Sequence, residues 1–130
     1  MNFPSTEAHN DSSARLRILH LEDSEPDAEL VAAKLASDYP ECVIQHASSR
    51  QQFENALHQG AFDLILSDYT LQGYDGLSAL KLARVQCPNK PFIFLSGTIG
   101  EERAIDALRR GAVDYVLKTN TARLPSAVKR

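Results

Sequence analysis

Short apolar runs alternate with helical patterns along most of this chain, and that alternation restricts the possible folds more than any other feature. The runs predict five strands, at 15–21, 42–47, 62–67, 91–95 and 114–117. Apolar residues recur at helical spacing in the segments between them. A strand-then-helix repeat is typical of a parallel sheet that carries helices on both faces, joined by right-handed crossovers. We therefore predict a doubly wound α/β fold with five parallel strands.

Two of the predicted helices begin with a capping signal. Ser24 and Asp27 stand at capping-box spacing, with Asp in place of the usual Glu or Gln, and Pro26 lies in the first turn. Ser49 and Gln52 form a second pair of this kind. These signals place helix starts directly after the first and second predicted strands.

The chain is predicted to contain one domain, from residue 15 to residue 130. Residues 1–14 are polar and lack periodicity, which is typical of a flexible leader or linker. Pro125 is predicted to open a last helix that Arg130 cuts short. We therefore expect the sequence to be a piece of a longer protein.

Composition excludes several functional classes. The net charge of −3 argues against general nucleic-acid affinity. The longest purely apolar runs, such as 92–95, are too short to span a membrane, and the N-terminus lacks the layout of a signal peptide. Cys42 and Cys87 have no metal-ligand or redox spacing and are interpreted as reduced thiols, so we expect a cytoplasmic location.

Polar side chains stand at the end of four of the five predicted strands. Glu22 and Asp23 follow the first strand, Asp68 the third, Ser96 the fourth and Lys118 the fifth. In a sheet of this kind the ligand site lies at the carboxyl ends of the strands. We therefore predict that these five residues share one crevice.

The chemistry of this group favours phosphoryl transfer with a bound cation. Three carboxylates and one lysine leave a formal charge of about −2, which Mg²⁺ would bring near neutral. Lys118 is suited to a phosphoryl oxygen, and the Ser96 hydroxyl could donate to a second one. Asp68 remains as the expected nucleophile, because a carboxylate can form an acyl phosphate.

Four segments resemble the receiver domain of response regulators, the phosphorylated module of two-component signalling. The resemblance covers about residues 15–130 and is carried by Ile18-Leu19-His20-Leu21-Glu22-Asp23, Asp63-Leu64-Ile65-Leu66-Ser67-Asp68, Phe94-Leu95-Ser96-Gly97 and Asp114-Tyr115-Val116-Leu117-Lys118. It implies a flavodoxin-like fold with strand order 2-1-3-4-5. It also implies a phosphoacceptor switch that takes its phosphoryl group from a histidine kinase or a histidine phosphotransfer domain. The polar leader favours the receiver of a hybrid sensor kinase.

The resemblance also implies roles for individual residues. Asp68 would be the phosphoacceptor, and Ser96 and Lys118 would contact the phosphoryl group. Mg²⁺ would be bound by Asp23, by Glu22 directly or through water, by Asp68 and by the backbone carbonyl of Thr70. Tyr115 occupies the position of an aromatic switch that turns inward when Ser96 is drawn toward the phosphate. The face formed by the fourth helix, fifth strand and fifth helix would pass the signal to an output domain or partner.

The sequence departs from the family pattern at one position, and the residues at two variable positions bear on the lifetime of the phosphoryl group. Thr119 stands where the family usually has proline, so the loop after Lys118 is expected to follow a different path. Thr70 and Thr98 occupy positions that tune dephosphorylation, and neither supplies an amide or carboxylate to orient water. We expect a phosphoryl group that is not unusually short-lived.

Other interpretations compete with the switch. An Mg²⁺-dependent phosphatase or mutase of the dehalogenase kind would need an acid at Thr70, and a flavodoxin would place phosphate against Glu22 and Asp23, which would repel it. A degenerate receiver that only binds partners is disfavoured by the intact Asp68, Ser96 and Lys118. Simpler structural roles are also open: Tyr115 could be a packing residue, His20 is expected to pack beside the site, and Arg109-Arg110 is expected to be a solvated helix face.

Overall fold

The computed structural model describes residues 15–97 and 100–129, so the predicted leader at 1–14 and Thr98 lie outside the described residues. Strands and helices alternate as predicted, and a six-residue 3₁₀ helix, Lys118–Arg123, lies between the last strand and the last helix. The strands are β1 Arg17–Leu21, β2 Val43–Ala47, β3 Leu64–Asp68, β4 Phe92–Ser96 and β5 Asp114–Leu117. The helices are α1 Glu25–Asp38, α2 Arg50–Gln59, α3 Gly76–Gln86, α4 Glu101–Arg109 and α5 Leu124–Lys129.

The five strands form one parallel sheet in the order β2-β1-β3-β4-β5, which confirms the predicted flavodoxin-like fold. The register aligns the carboxyl ends of the central strands. Leu21 of β1 lies beside Ser67 of β3, Asp68 beside Leu95 of β4, and Ser96 beside Leu117 of β5. The polar residues that end or follow these strands are therefore brought to one edge of the sheet.

Both faces of the sheet are covered by helices. Leu19, Phe92 and Phe94 point to one face and pack with Phe53 of α2 and with α3. Residues that alternate with them along the strands, among them Ile18, Leu66 and Leu95, point to the other face and pack with α1 and α5. Because each central strand is buried on both sides, it is apolar almost throughout rather than alternating.

The predicted ends of β3 and β4 were each one residue short. Asp68 and Ser96 are the last residues of these strands, not the first residues after them. The ladder continues through these polar residues because their backbones remain paired with the neighbouring strands. Their side chains are thereby fixed by the sheet and not by a loop.

The predicted caps form, but each differs from a capping box. Ser24 Oγ accepts a hydrogen bond from the Asp27 backbone at 3.3 Å, and Ser49 Oγ accepts one from the Gln52 backbone at 3.2 Å. The side chains of Asp27 and Gln52 do not accept the reciprocal hydrogen bond from the backbone N–H of the capping serine. Gln52 Oε1 accepts from Ser48 at 2.8 Å, and the Asp27 carboxylate turns to a lysine on the far side of the crevice.

The segment after β5 and the last helix complete the fold. Lys118–Arg123 forms the 3₁₀ helix, with a break at Asn120, and the described peptide bonds are all trans. The last helix begins one residue before the predicted Pro125, and Leu124 is fully buried against the α1 side of the core. Among the described residues, no helix is long and apolar enough to cross a membrane.

Candidate functional site

The predicted site residues meet at the carboxyl edge of the sheet. Glu22 is fully buried, Ser96 is 2% exposed and Asp68 is 6% exposed, whereas Asp23 is exposed at the mouth of the crevice. Each is held by a strand end, since Glu22 and Asp23 follow β1 directly. The Glu22 backbone also donates to Ala47 at 2.9 Å, which ties this edge to β2.

Three carboxylates form a compact cluster that could hold a metal ion. One oxygen each from Glu22, Asp23 and Asp68 lies within 4.8 Å of the others. Asp23 Oδ2 also accepts a hydrogen bond from the Gln72 backbone at 2.7 Å, which links it to the loop after β3. An all-oxygen donor set at this spacing, partly open to water, suits a hard divalent cation such as Mg²⁺.

Lys118 lies across the crevice, and three carboxylates surround its ammonium. Its Nζ is 2.8 Å from Asp27 Oδ2, 3.0 Å from Glu22 Oε1 and 3.1 Å from Asp68 Oδ2. Burial alone would lower the Lys118 pKa, but the hydrogen bonds to Asp27 and Glu22 and the charge of Asp68 raise it above its usual range. The lysine is therefore protonated, and its ammonium lies 3.1 Å from Asp68 Oδ2 with Thr119 in place of proline.

The ionisation of Glu22 is strongly perturbed by its burial. Burial raises its pKa to about 7, and the negative charge of Asp68 adds to the effect. Lys118 and the Ser24 backbone, which donates to Glu22 Oε2 at 3.1 Å, oppose this shift without cancelling it. The buried Glu22 carboxylate is therefore costly to keep charged.

Asp27 belongs to the site, although the sequence interpretation assigned it to a helix cap. Its carboxylate makes the shortest of the three contacts to Lys118, across 91 positions of the chain. It lies in the first turn of α1, where acidic residues are favoured for local reasons. No local pattern distinguishes that role from a contact to Lys118, the residue after β5, so this fourth carboxylate could not be found from spacing.

His20 packs beside the site as expected, but without a hydrogen-bond partner among the described residues. It is fully buried, and its ring lies 6.0 Å from that of His46, whose Nε2 is 2.7 Å from the Glu22 carbonyl oxygen. Burial, reinforced by His46 and Lys118, lowers the His20 pKa to about 3. His20 is thus a neutral packing side chain at neutral pH.

The residue predicted as the switch lies in an aromatic cluster next to the crevice. Tyr115 is partly buried, and its ring centroid is 5.7 Å from that of Tyr69, which in turn lies 5.2 Å from Phe94. The Tyr115 hydroxyl is buried and lacks a hydrogen-bond partner among the described residues. Arg103 of α4 stacks over Tyr69 at 5.8 Å, so the cluster joins the residue after Asp68 to the fourth helix.

Comparison with known proteins identifies the family. The response regulator receiver domain model matches residues 18–129. This chain belongs to that family. Receiver domains are signalling modules of two-component systems, and their general function is that of a phosphoacceptor switch.

Relatives of this receiver domain are found in both sequence and structure. It is 37% identical over 67 residues to the response regulator protein FleR of Pseudomonas aeruginosa, covering 52% of this chain and 14% of FleR. It is 30% identical over 120 residues to a putative NtrX-like response regulator of Rickettsia felis, covering 90% of this chain and 25% of that protein. The receiver domain of Francisella response regulator 1452 superposes with a TM-score of 0.78 at 25% identity, covering 88% of this chain and 93% of that one. The chain thus spans a quarter or less of these two full-length relatives.

Proposed function

We propose that Asp68 is the phosphoacceptor of this receiver domain and that it takes a phosphoryl group from a phosphohistidine. The observation that carries the proposal is the position of Asp68 between two kinds of charge. Its Oδ2 lies 3.1 Å from the Lys118 ammonium, and one of its oxygens lies within 4.8 Å of those of Glu22 and Asp23. Glu22 makes both kinds of contact too, but it is fully buried, whereas Asp68 is 6% exposed.

The proposed step is a displacement at phosphorus. An oxygen of the Asp68 carboxylate bonds to the phosphorus, the bond from phosphorus to the imidazole nitrogen breaks, and its electron pair stays with the imidazole. Lys118 holds the negative charge of the phosphoryl oxygens, and the Ser96 hydroxyl donates to one of them. Catalysis consists mainly of positioning and charge stabilisation, which the side chains at the sheet edge would provide.

We propose Mg²⁺ as the cofactor, held by Glu22, Asp23, Asp68 and the backbone carbonyl of Thr70. The compact oxygen donor set of the three carboxylates supports this choice. When bound, Mg²⁺ would neutralise charge on the carboxylates and on the phosphoryl group. The residues of the chain supply the remainder: they orient the acceptor oxygen and hold the incoming group.

The conformational response is proposed to pass through Ser96 and Tyr115. Ser96 ends β4, and Tyr115 of β5 lies beside Phe94 in the sheet, so a shift of the hydroxyl toward Asp68 would open space next to the tyrosine ring. The α4-β5-α5 face would then change shape and be read by an output domain or partner. The ring of Tyr115 packs against the rings of Tyr69 and Phe94, which supports a role in which it moves when they move.

The wider setting is also a proposal. The partners would be a histidine kinase or a histidine phosphotransfer domain, within the cytoplasm, and neither a nucleic acid nor a membrane is proposed as a direct ligand of this domain. The domain would catalyse its own phosphorylation and turn over no small-molecule substrate. A place within a hybrid sensor kinase stays a prediction from the polar leader, and sequencing of the flanking coding region would test it.

Incubation with acetyl phosphate tests the proposed acceptor. Intact-protein mass spectrometry should show the gain of one phosphoryl group in the presence of Mg²⁺ and no gain after Asp68→Asn. Asp63→Asn is the matched control. Asp63 directly precedes β3, the strand that Asp68 ends, and its carboxylate pairs with Arg17 at the opposite end of the sheet. Phosphorylation of Asp68→Asn at the wild-type rate, or none in the wild type, would contradict the assignment.

A further inference from the structure

Three carboxylates surround the ammonium of Lys118 in the resting site, two of them as hydrogen-bond acceptors, Asp27 and Asp68, and the third, Glu22, as an ion pair. An ammonium offers three N–H groups, and three carboxylate oxygens lie at 2.8, 3.0 and 3.1 Å from Nζ. A phosphoryl group that arrives on Asp68 brings new anionic oxygens that need the same donors. The phosphoryl oxygens therefore compete with these carboxylates for the ammonium.

Asp27 is the contact that can be released at the smallest energetic cost. Its side chain is 39% exposed, so water can solvate the carboxylate as soon as the lysine leaves. Glu22 is fully buried and would be left as an unpaired charge, which is strongly unfavourable. The α1 cap does not depend on the Asp27 carboxylate either, because the bond to Ser24 uses the Asp27 backbone N–H.

We propose that Asp27 is a positioning residue that competes with the phosphoryl oxygens for Lys118 and so sets how readily the site accepts a phosphoryl group. The inference rests on the proposed function, since it assumes that Asp68 is the acceptor. Asp27 also adds a fourth negative charge next to the place that an anionic donor must enter. Both effects act in the same direction: Asp27 restrains loading, and its removal favours it.

The expected size follows from the exposure of the pair. Ion pairs that are open to solvent contribute up to about 1 kcal/mol, which corresponds to about a fivefold change in an equilibrium constant. Asp27→Asn keeps the shape of the side chain and removes its charge. It should therefore bind beryllium trifluoride, a phosphoryl mimic, up to about fivefold more tightly than the wild type in the presence of Mg²⁺, and be phosphorylated faster by acetyl phosphate.

Two further variants separate the contact from general charge and from stability. Glu25→Gln makes the same change in charge in the same helical turn, but Glu25 is exposed and makes no ion pair among the described residues. It should bind the mimic like the wild type. Asp27→Glu restores the carboxylate and should return the affinity toward the wild-type value, while thermal unfolding of all three variants should show that they remain folded.

The outcomes distinguish this inference from the proposed function. Tighter binding by Asp27→Asn, with Glu25→Gln unchanged, supports the role of Asp27. If the wild type binds the mimic and is phosphorylated on Asp68, but Asp27→Asn binds no more tightly or Glu25→Gln gains as much, the role of Asp27 is refuted and the proposed function stands. If the wild type neither binds the mimic nor gains a phosphoryl group, both fail together.

Discussion

Replacing Lys118 by methionine should destabilise the receiver domain, because it removes a cation that contacts three carboxylates. Removing one partner of a fully buried ion pair costs about 3–5 kcal/mol. The Lys118 side chain is 21% exposed and that of Asp27 is 39% exposed, so part of the charge can be solvated. We therefore expect a loss of about 2–3 kcal/mol in the free energy of unfolding at neutral pH without divalent metal.

Urea unfolding followed by circular dichroism measures this loss. The slope of the unfolding free energy against urea concentration should stay unchanged, which shows that the same structure unfolds. Lys81→Met is the control, because Lys81 is exposed on α3 and makes no ion pair among the described residues. Adding Glu22→Gln to Lys118→Met should recover most of the loss, since the fully buried carboxylate is the one that suffers most without its cation.

The loss should also depend on pH, and the sign follows from Glu22. Its pKa is raised from 4.5 to about 7, so below that value the folded domain keeps a proton that the unfolded chain releases. Stability from this group is full below about pH 4.5 and falls as the pH rises toward 7. Lys118→Met should raise the Glu22 pKa further, and its deficit should shrink as the pH is lowered to 5.5. A deficit that is absent at pH 7.5, or that Glu22→Gln does not reduce, would refute the electrostatic reasoning.

Further expected outcomes concern the surroundings of the acceptor. Gly76→Ala should destabilise by about 1–3 kcal/mol and slow phosphorylation, since a Cβ there would lie 2.6 Å from the Tyr69 carbonyl oxygen; unfolding and acetyl phosphate assays measure both. Ser24→Ala should lose about 1 kcal/mol with its cap, seen as a lower melting temperature. Tyr69→Leu should leave phosphorylation intact but shift the NMR signals of the Tyr115 ring, which it contacts. The phosphoryl half-life should not be much shorter than that of free acyl phosphates, because Thr70 cannot orient water as an amide or carboxylate would; loss of the phosphoryl mass with time measures it.

The fold could be predicted from sequence because its main determinants are local. Runs such as 64–66 and 92–95 are apolar at every position, which only a strand buried on both faces requires. Ser24 and Ser49 mark helix starts within a few residues of the strands that precede them. Strand alternation then leaves few topologies, and the rule for ligand sites in such sheets selects one edge.

The parts of the site that could not be predicted depend on contacts between distant residues. Asp27 satisfies a local helix rule as well as a contact to Lys118, so its sequence position does not reveal the second role. The extent to which Glu22 is buried, and hence its raised pKa, depends on how closely β1 and β3 bring it to Asp68 and Lys118. The stack of Arg103 on Tyr69 likewise joins α4 to the loop after β3, and no sequence pattern links these two segments.

The fourth carboxylate changes the electrostatic argument for this site. Counting Asp27 with the three clustered acids, four carboxylates face one ammonium, a formal charge of −3 when all are ionised, and not the −2 that strand ends alone suggested. Dissolved salt screens Glu22 poorly because it is fully buried, so its charge must be balanced by a group in direct contact. At rest Lys118 performs that task, and in the proposed reaction the same ammonium must also serve the phosphoryl group. Stability and phosphorylation therefore depend on one cation, and the proposed release of Asp27 would let Lys118 serve the phosphoryl group while it stays in contact with Glu22.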